Sequence, residues 1–181
     1  MSRPSRVIVL AEDRRHQRFV QKYLQHLGHS PHDFYFEDLP SGRGCGEQWV
    51  RKRYASAVAA YRSRSSRAQT ALVVAIDANG ADVARRLRQL QGALVVADLS
   101  PRRDDEKVVL LVPRRHIETW ILCLNGITVN EHADYTRERD IDQQFERAAA
   151  TLFEWSRPGA GPAPHCVPSL HAAIVEIRRL G

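Results

Sequence analysis

The chain has 181 residues, 43% of them hydrophobic, and carries 27 Lys and Arg against 21 Asp and Glu, a formal net charge of +6. This length and apolar content exclude wholesale disorder and fit one domain with a buried core, while the cationic surplus favours a polyanionic partner, nucleic acid above all. Three cysteines far apart, with no CxxC pair, argue against a disulfide scaffold or a structural zinc site. With no signal-length apolar run and nothing near the ~20 apolar residues of a membrane span, the expectation is a soluble cytoplasmic protein.

Residues 7–11, VIVLA, form an unbroken aliphatic run, the pattern of a strand buried on both faces of a parallel sheet. Glu12 and Asp13 follow directly. Phe19, Val20, Tyr23, Leu24 and Leu27 then fall on one helical stripe, with Gly28 where a C-terminal cap belongs. HDFYFEDLP, residues 32–40, alternates enough for a second strand, ended by Pro40. SGRGCG, which holds Cys45, is too glycine-rich for regular structure, and no His or Asp constellation accompanies the cysteine to make it a nucleophile.

Residues 48–67 predict a long helix with Val50, Tyr54, Val58 and Tyr61 on one side. Arg51, Lys52, Arg53, Arg62, Arg64 and Arg67 crowd the remainder, either as a solvated face or as one that contacts phosphates. TALVVAIDANG, residues 70–80, repeats the opening pattern: an apolar run, an acid at Asp77 and the turn signal Asn79-Gly80. Helical spacing resumes over 81–91 through Val83, Leu87 and Leu90, and KVVLLVP at 107–113 is a further buried strand. RRHIETWILCLNG places Ile117, Trp120, Ile121 and Leu124 on one helical face, so Trp120 reads as core and not as a base-stacking platform. The expected organisation is an α/β domain over 1–155, a Pro/Gly-rich linker over 156–168, and a capped C-terminal helix over 169–181 packed on the domain.

Strands alternating with helices predict an α/β fold with a mainly parallel sheet flanked by helices. Chemistry in such sheets gathers at the carboxyl ends of the strands, and Glu12 and Asp77 both belong there. Two carboxylates converging at one edge repel unless a cation lies between them. A hard divalent ion, usually Mg²⁺, answers that need, and it also clamps phosphate oxygens and activates water. The plainer alternatives are that Glu12 and Asp13 only open a helix and that Asp77 only braces a turn. His16 and His116, with no partner visible, are expected to be solvent-exposed or hydrogen-bonded.

The stretches VIVLAED, LVVAIDANG and LLVPRRHIETWIL resemble the TOPRIM domain shared by topoisomerases, primases and the OLD (overcoming lysogenization defect) nucleases, over most of residues 7–124. The last stretch is similar to the proline-then-Glu-x-Trp helix of small stand-alone TOPRIM proteins from prokaryotic defence loci. The resemblance implies that Glu12 is a metal ligand or general acid/base, that Asp77 is the first Asp of an Asp-x-Asp, and that the cofactor is Mg²⁺ or Mn²⁺. Asn79 stands where the family has its second Asp; an amide can ligate but brings no charge, which leaves Asp82 or Glu118 to supply the missing carboxylate. Arg114 and Arg115, at a strand-to-helix junction, are then candidate phosphate clamps. The implied function is a metal-dependent nuclease in antiphage or antiplasmid defence, working with an ATPase partner. Two rivals stay open: a non-catalytic TOPRIM-shaped module that binds nucleic acid or a partner protein, and a signalling receiver domain with Asp77 as phosphoacceptor. LLVPRR, which lacks the strand-end Lys a receiver needs, counts against the second.

Overall fold

The computed structural model describes residues 4–40, 46–65 and 68–181. In chain order it contains β1 (Arg6–Ala11), α1 (Arg14–His26), β2 (Phe34–Phe36), α2 (Gly46–Ser65), β3 (Thr70–Ala75), α3 (Val83–Val96), β4 (Val108–Leu111), α4 (Ile117–Leu124), α5 (Phe145–Ser156) and α6 (Pro168–Ile177). Cys45 and Arg67 lie outside the described residues. The strands form one sheet in the order β2-β1-β3-β4, and every pairing is parallel. This is the expected α/β fold.

The unbroken aliphatic runs exist because both faces of the sheet are covered. Val7, Val9 and Ala11 of β1 pack into one core with Ala71, Val73 and Ala75 of β3; Ile8, Leu10, Leu72 and Val74 point into the other. A parallel strand between two helical layers has no face on which a polar residue is tolerated. Each Val, Leu or Ile among them contributes roughly 1.5–3 kcal/mol by leaving water. α1, α4, α5 and α6 cover the first face, and α2 and α3 the second. The chain therefore leaves β1 toward one layer and β3 toward the other. The point between the carboxyl ends of these two neighbouring strands is the crevice position where ligands usually bind in such sheets.

β2 is shorter than the run 32–40 predicts. It pairs with β1 alone among the described strands, and its middle residue Tyr35 is exposed, so no second neighbour extends it. α1 starts at its Asp13 cap and ends at His26, and just past its Leu27 C-cap Gly28 has a φ of 85°, the left-handed conformation glycine adopts at low cost. α5 has no counterpart among the helices expected from the sequence; it buries Phe145, Ala148, Ala149 and Leu152 in the same core as α1. Residues 157–167 cross from α5 to α6, whose Leu170, Ala173, Ile174 and Ile177 enter that core too.

Trp120 is fully buried there and donates its indole N–H to Ser169 Oγ at 2.8 Å, tying α4 to α6. Trp120→Ala should cost about 3–5 kcal/mol of unfolding free energy, through lost burial and the cavity left behind. Denaturant titration measures this, and a cost below ~1 kcal/mol would return the ring to a surface role. No helix among the described residues is long and apolar enough to cross a membrane.

Candidate metal centre

Glu12 is the first residue past β1. Its amide continues the sheet by donating to Ala75 O at 3.0 Å, and its carboxylate Oε2 accepts the Asp77 N–H at 2.9 Å. The two strand-end acids are thus joined by one hydrogen bond across the crevice. Burial, and then the negative charge of Asp77, push the Glu12 carboxyl up to about 7. The first residue of α2 closes over it: a Cβ on Gly46 would lie 2.3 Å from Glu12 O and 2.7 Å from its Cγ. Because backbone blocks the way, Gly46→Ala should displace Glu12, costing about 1–3 kcal/mol in stability. Metal affinity should fall with it. Calorimetric titration with Mn²⁺ checks this, and a Gly46→Ala variant that binds the ion as tightly as wild type would show the contact to be slack.

Asp13 caps α1, accepting the His16 N–H at 3.0 Å, so the plain helix-start reading of this acid is correct. It does more than cap. The same Oδ1 lies 2.9 Å from His16 Nδ1, and His16 Nε2 lies 2.9 Å from Asp77 Oδ1. Helical side chains lean toward the N-terminus, which is why an imidazole in the first turn of α1 reaches back to both acids. His16 is wholly inaccessible to solvent. Burial alone would depress its pKa, but the Asp77 and Asp13 carboxylates outweigh that and hold it well above the ordinary value. Asp13, despite its own burial cost, is held down at about 2 by His16. The second Asp77 oxygen is 3.3 Å from His116 Nδ1, and this contact raises the His116 pKa.

The Asp77 turn is fixed from two sides. Buried Arg86 donates Nε to Asp77 O at 3.0 Å and pairs with Glu47 in the first turn of α2. Ala78 N–H and Gly80 N–H donate to Pro113 O at 2.8 Å and Arg114 O at 3.0 Å, stitching the turn to the end of β4.

One ligand atom each from Glu12, His16 and Asp77 lie within 4.8 Å of one another. Of the residues the sequence proposes as metal ligands, only Glu12 and Asp77 converge. Asn79 is exposed in a left-handed turn conformation with φ 54°. Asp82 is spent as the N-cap of α3, accepting Ala84 N–H at 3.2 Å. Glu118 is buried in an ion pair with Arg15 of α1. The third group the fold brings to the two acids is a histidine. Its signal was present in the sequence: a histidine four residues after a strand-end Glu and three after an N-cap Asp shares their face of the helix. The two carboxylates and one imidazole, at the crevice of a parallel sheet, fit a divalent cation.

The proposed phosphate-contacting cations are mostly committed elsewhere. Arg51 pairs with Glu47 at 2.7 Å, and Arg53 with Glu37 at 2.9 Å. Arg62 forks onto Glu106 at 2.7 and 3.1 Å and also donates to the carbonyls of Ser100 and Pro101. Arg115 holds the carbonyl of His132 at 3.0 Å and lies 3.6 Å from Asp134. Lys52 is exposed. Arg114 keeps a buried Nε–H with no acceptor among the described residues, beside the Asp77 turn that its own carbonyl anchors.

Comparisons with protein-family models, with curated proteins and with solved structures find no match.

Proposed function

We propose that the chain is a TOPRIM-like, metal-dependent phosphodiesterase, a nuclease that holds Mg²⁺ or Mn²⁺ at the carboxyl edge of its sheet. The observation that carries this reading is the convergence of Glu12 and Asp77. The two acids arrive from different strands, the Glu12 carboxylate accepts the Asp77 backbone N–H at 2.9 Å, and both stand at the point where the helices after β1 and β3 diverge. Burial and the Asp77 charge push the Glu12 carboxyl up, so holding the two acids together carries an electrostatic cost that a bound cation would relieve. When bound, a divalent ion at such a site supplies Lewis acidity and an activated water. The chain supplies the rest. Arg114, whose carbonyl anchors the Asp77 turn and whose Nε–H is unpartnered among the described residues, would be the cation to meet a phosphate oxygen. His116, hydrogen-bonded to Asp77 and partly open to solvent, is placed to pass a proton to a departing oxygen.

Nucleic acid as substrate is supported by the +6 charge, and a role in phage or plasmid defence beside an ATPase partner by the resemblance of VIVLAED, LVVAIDANG and LLVPRRHIETWIL. The test is cleavage of single-stranded DNA, double-stranded DNA and tRNA with Mg²⁺ or Mn²⁺, with and without a co-encoded ATPase. Cleavage that disappears with chelator is the expected result. No cleavage and no calorimetric metal binding under any of these conditions would replace the enzyme with a non-catalytic binding module.

A further inference from the structure

We infer that His16 is a direct ligand of the ion, oriented by Asp13, and that the site therefore selects a transition ion such as Zn²⁺ or Mn²⁺ over Mg²⁺. This rests on the metal reading above and concerns which ion that site takes.

Asp13 Oδ1 lies 2.9 Å from His16 Nδ1, so the proton on that nitrogen points at the carboxylate. In the neutral imidazole, Nε2 then carries a bare lone pair, aimed at Asp77 Oδ1 from 2.9 Å. Two lone pairs facing each other at that distance repel. Something positive must lie between them: a second proton or a metal ion. A second proton satisfies the pair in the metal-free chain; a metal ion would take its place and draw in the Glu12 carboxylate, the third member of the cluster within 4.8 Å, as a further ligand.

The surroundings favour the ion further. His16 is 0% exposed, so it has no route to solvent as an acid or base. A carboxylate that holds Nδ1–H while Nε2 faces a second acid is the arrangement that fixes a metal-binding histidine in one tautomer and raises its basicity. Donors each about 2.1 Å from a small divalent ion stand about 3.0–3.4 Å apart in octahedral or tetrahedral geometry, and Nε2 and Asp77 Oδ1, at 2.9 Å, are close to that spacing. Three protein donors leave positions for water and a phosphate oxygen. Mg²⁺ prefers an all-oxygen octahedron, whereas imidazole suits Zn²⁺ and is accepted by Mn²⁺. The residues that would have made an oxygen-only site, Asp82 and Glu118, are occupied as a helix cap and an ion pair.

The experiment uses the full chain, stripped of metal and titrated separately with Zn²⁺, Mn²⁺ and Mg²⁺ by calorimetry. X-ray absorption of the Zn²⁺-loaded protein then reads the ligand type directly. Zn²⁺ and Mn²⁺ should bind at least about tenfold more tightly than Mg²⁺, with imidazole scattering in the wild-type spectrum. His16→Gln should remove that scattering, and Asp13→Asn should weaken Zn²⁺ binding about 10–100-fold with the helix content unchanged. Equal affinity for Mg²⁺ with an all-oxygen spectrum would overturn the inference, making His16 an internal cation between two acids while the nuclease reading stands. No binding of any ion would overturn both. Should His16→Gln fail to fold, the wild-type spectrum alone decides.

Discussion

Glu12→Gln should abolish metal-dependent phosphodiester cleavage and leave the fold standing. The glutamine retains an oxygen to accept the Asp77 N–H that Glu12 Oε2 now accepts at 2.9 Å, and the backbone stays pinned by the 3.0 Å bond from its amide to Ala75 O. What disappears is the charge. Lewis-acid stabilisation and the activated water together contribute several kcal/mol to such a reaction, and at ~1.4 kcal/mol per tenfold the rate should fall by about 10³ or more. Stability should move the other way. Burial and Asp77 push the Glu12 carboxyl up to about 7, so ionising it costs the folded, metal-free protein. Since the folded state holds that proton more tightly than the unfolded state, stability drains away as pH rises from about 4.5 to about 7. The amide does not titrate, and in chelator at neutral pH the variant should melt at or above the wild-type temperature. Cleavage rate and melting temperature, measured on one preparation, check both halves. A variant that cuts as fast as wild type would reduce the acids after β1 to a helix start.

Arg62→Met should be the most destabilising change among the surface-seeming cations, at about 3–5 kcal/mol. Arg62 looks like one more charge on a basic helix, yet its guanidinium is the counter-ion of Glu106, whose side chain is 2% exposed. Removing it leaves that carboxylate buried without its main counter-charge and takes a charged donor from the carbonyls of Ser100 and Pro101. At roughly 2–4 °C per kcal/mol for a chain of this size, the melting temperature should drop visibly. The pH dependence identifies the cause. Burial acts to raise the Glu106 pKa, but Arg62 outweighs it and holds it below the ordinary carboxylate value. Its stabilisation is therefore present above pH ~4.5 and lost as pH falls through the folded pKa. The gap between wild type and variant should narrow on acidification. A variant that melts normally, but whose log affinity for DNA falls less steeply with log salt by about one unit, would instead make Arg62 a phosphate contact.

The sequence alone determined what depends on neighbours along the chain. Residues 7–11, 71–76 and 107–113 read as buried strands because a parallel strand covered on both faces needs an apolar residue at every position. The position of Glu12 and Asp77 at strand ends followed from the same runs, and the burial of Trp120 from its helical stripe. Tertiary structure decided the pairings. His16 meets Asp77 across 61 positions, Arg15 meets Glu118 across 103, and Arg62 meets Glu106 across 44. Periodicity reports which face of an element is buried, but not which element lies opposite. That is set by the order β2-β1-β3-β4, which puts β1 beside β3 and sends their helices to opposite layers. A basic helix thus became a set of internal ion pairs, and a histidine with no visible partner came to lie between two carboxylates.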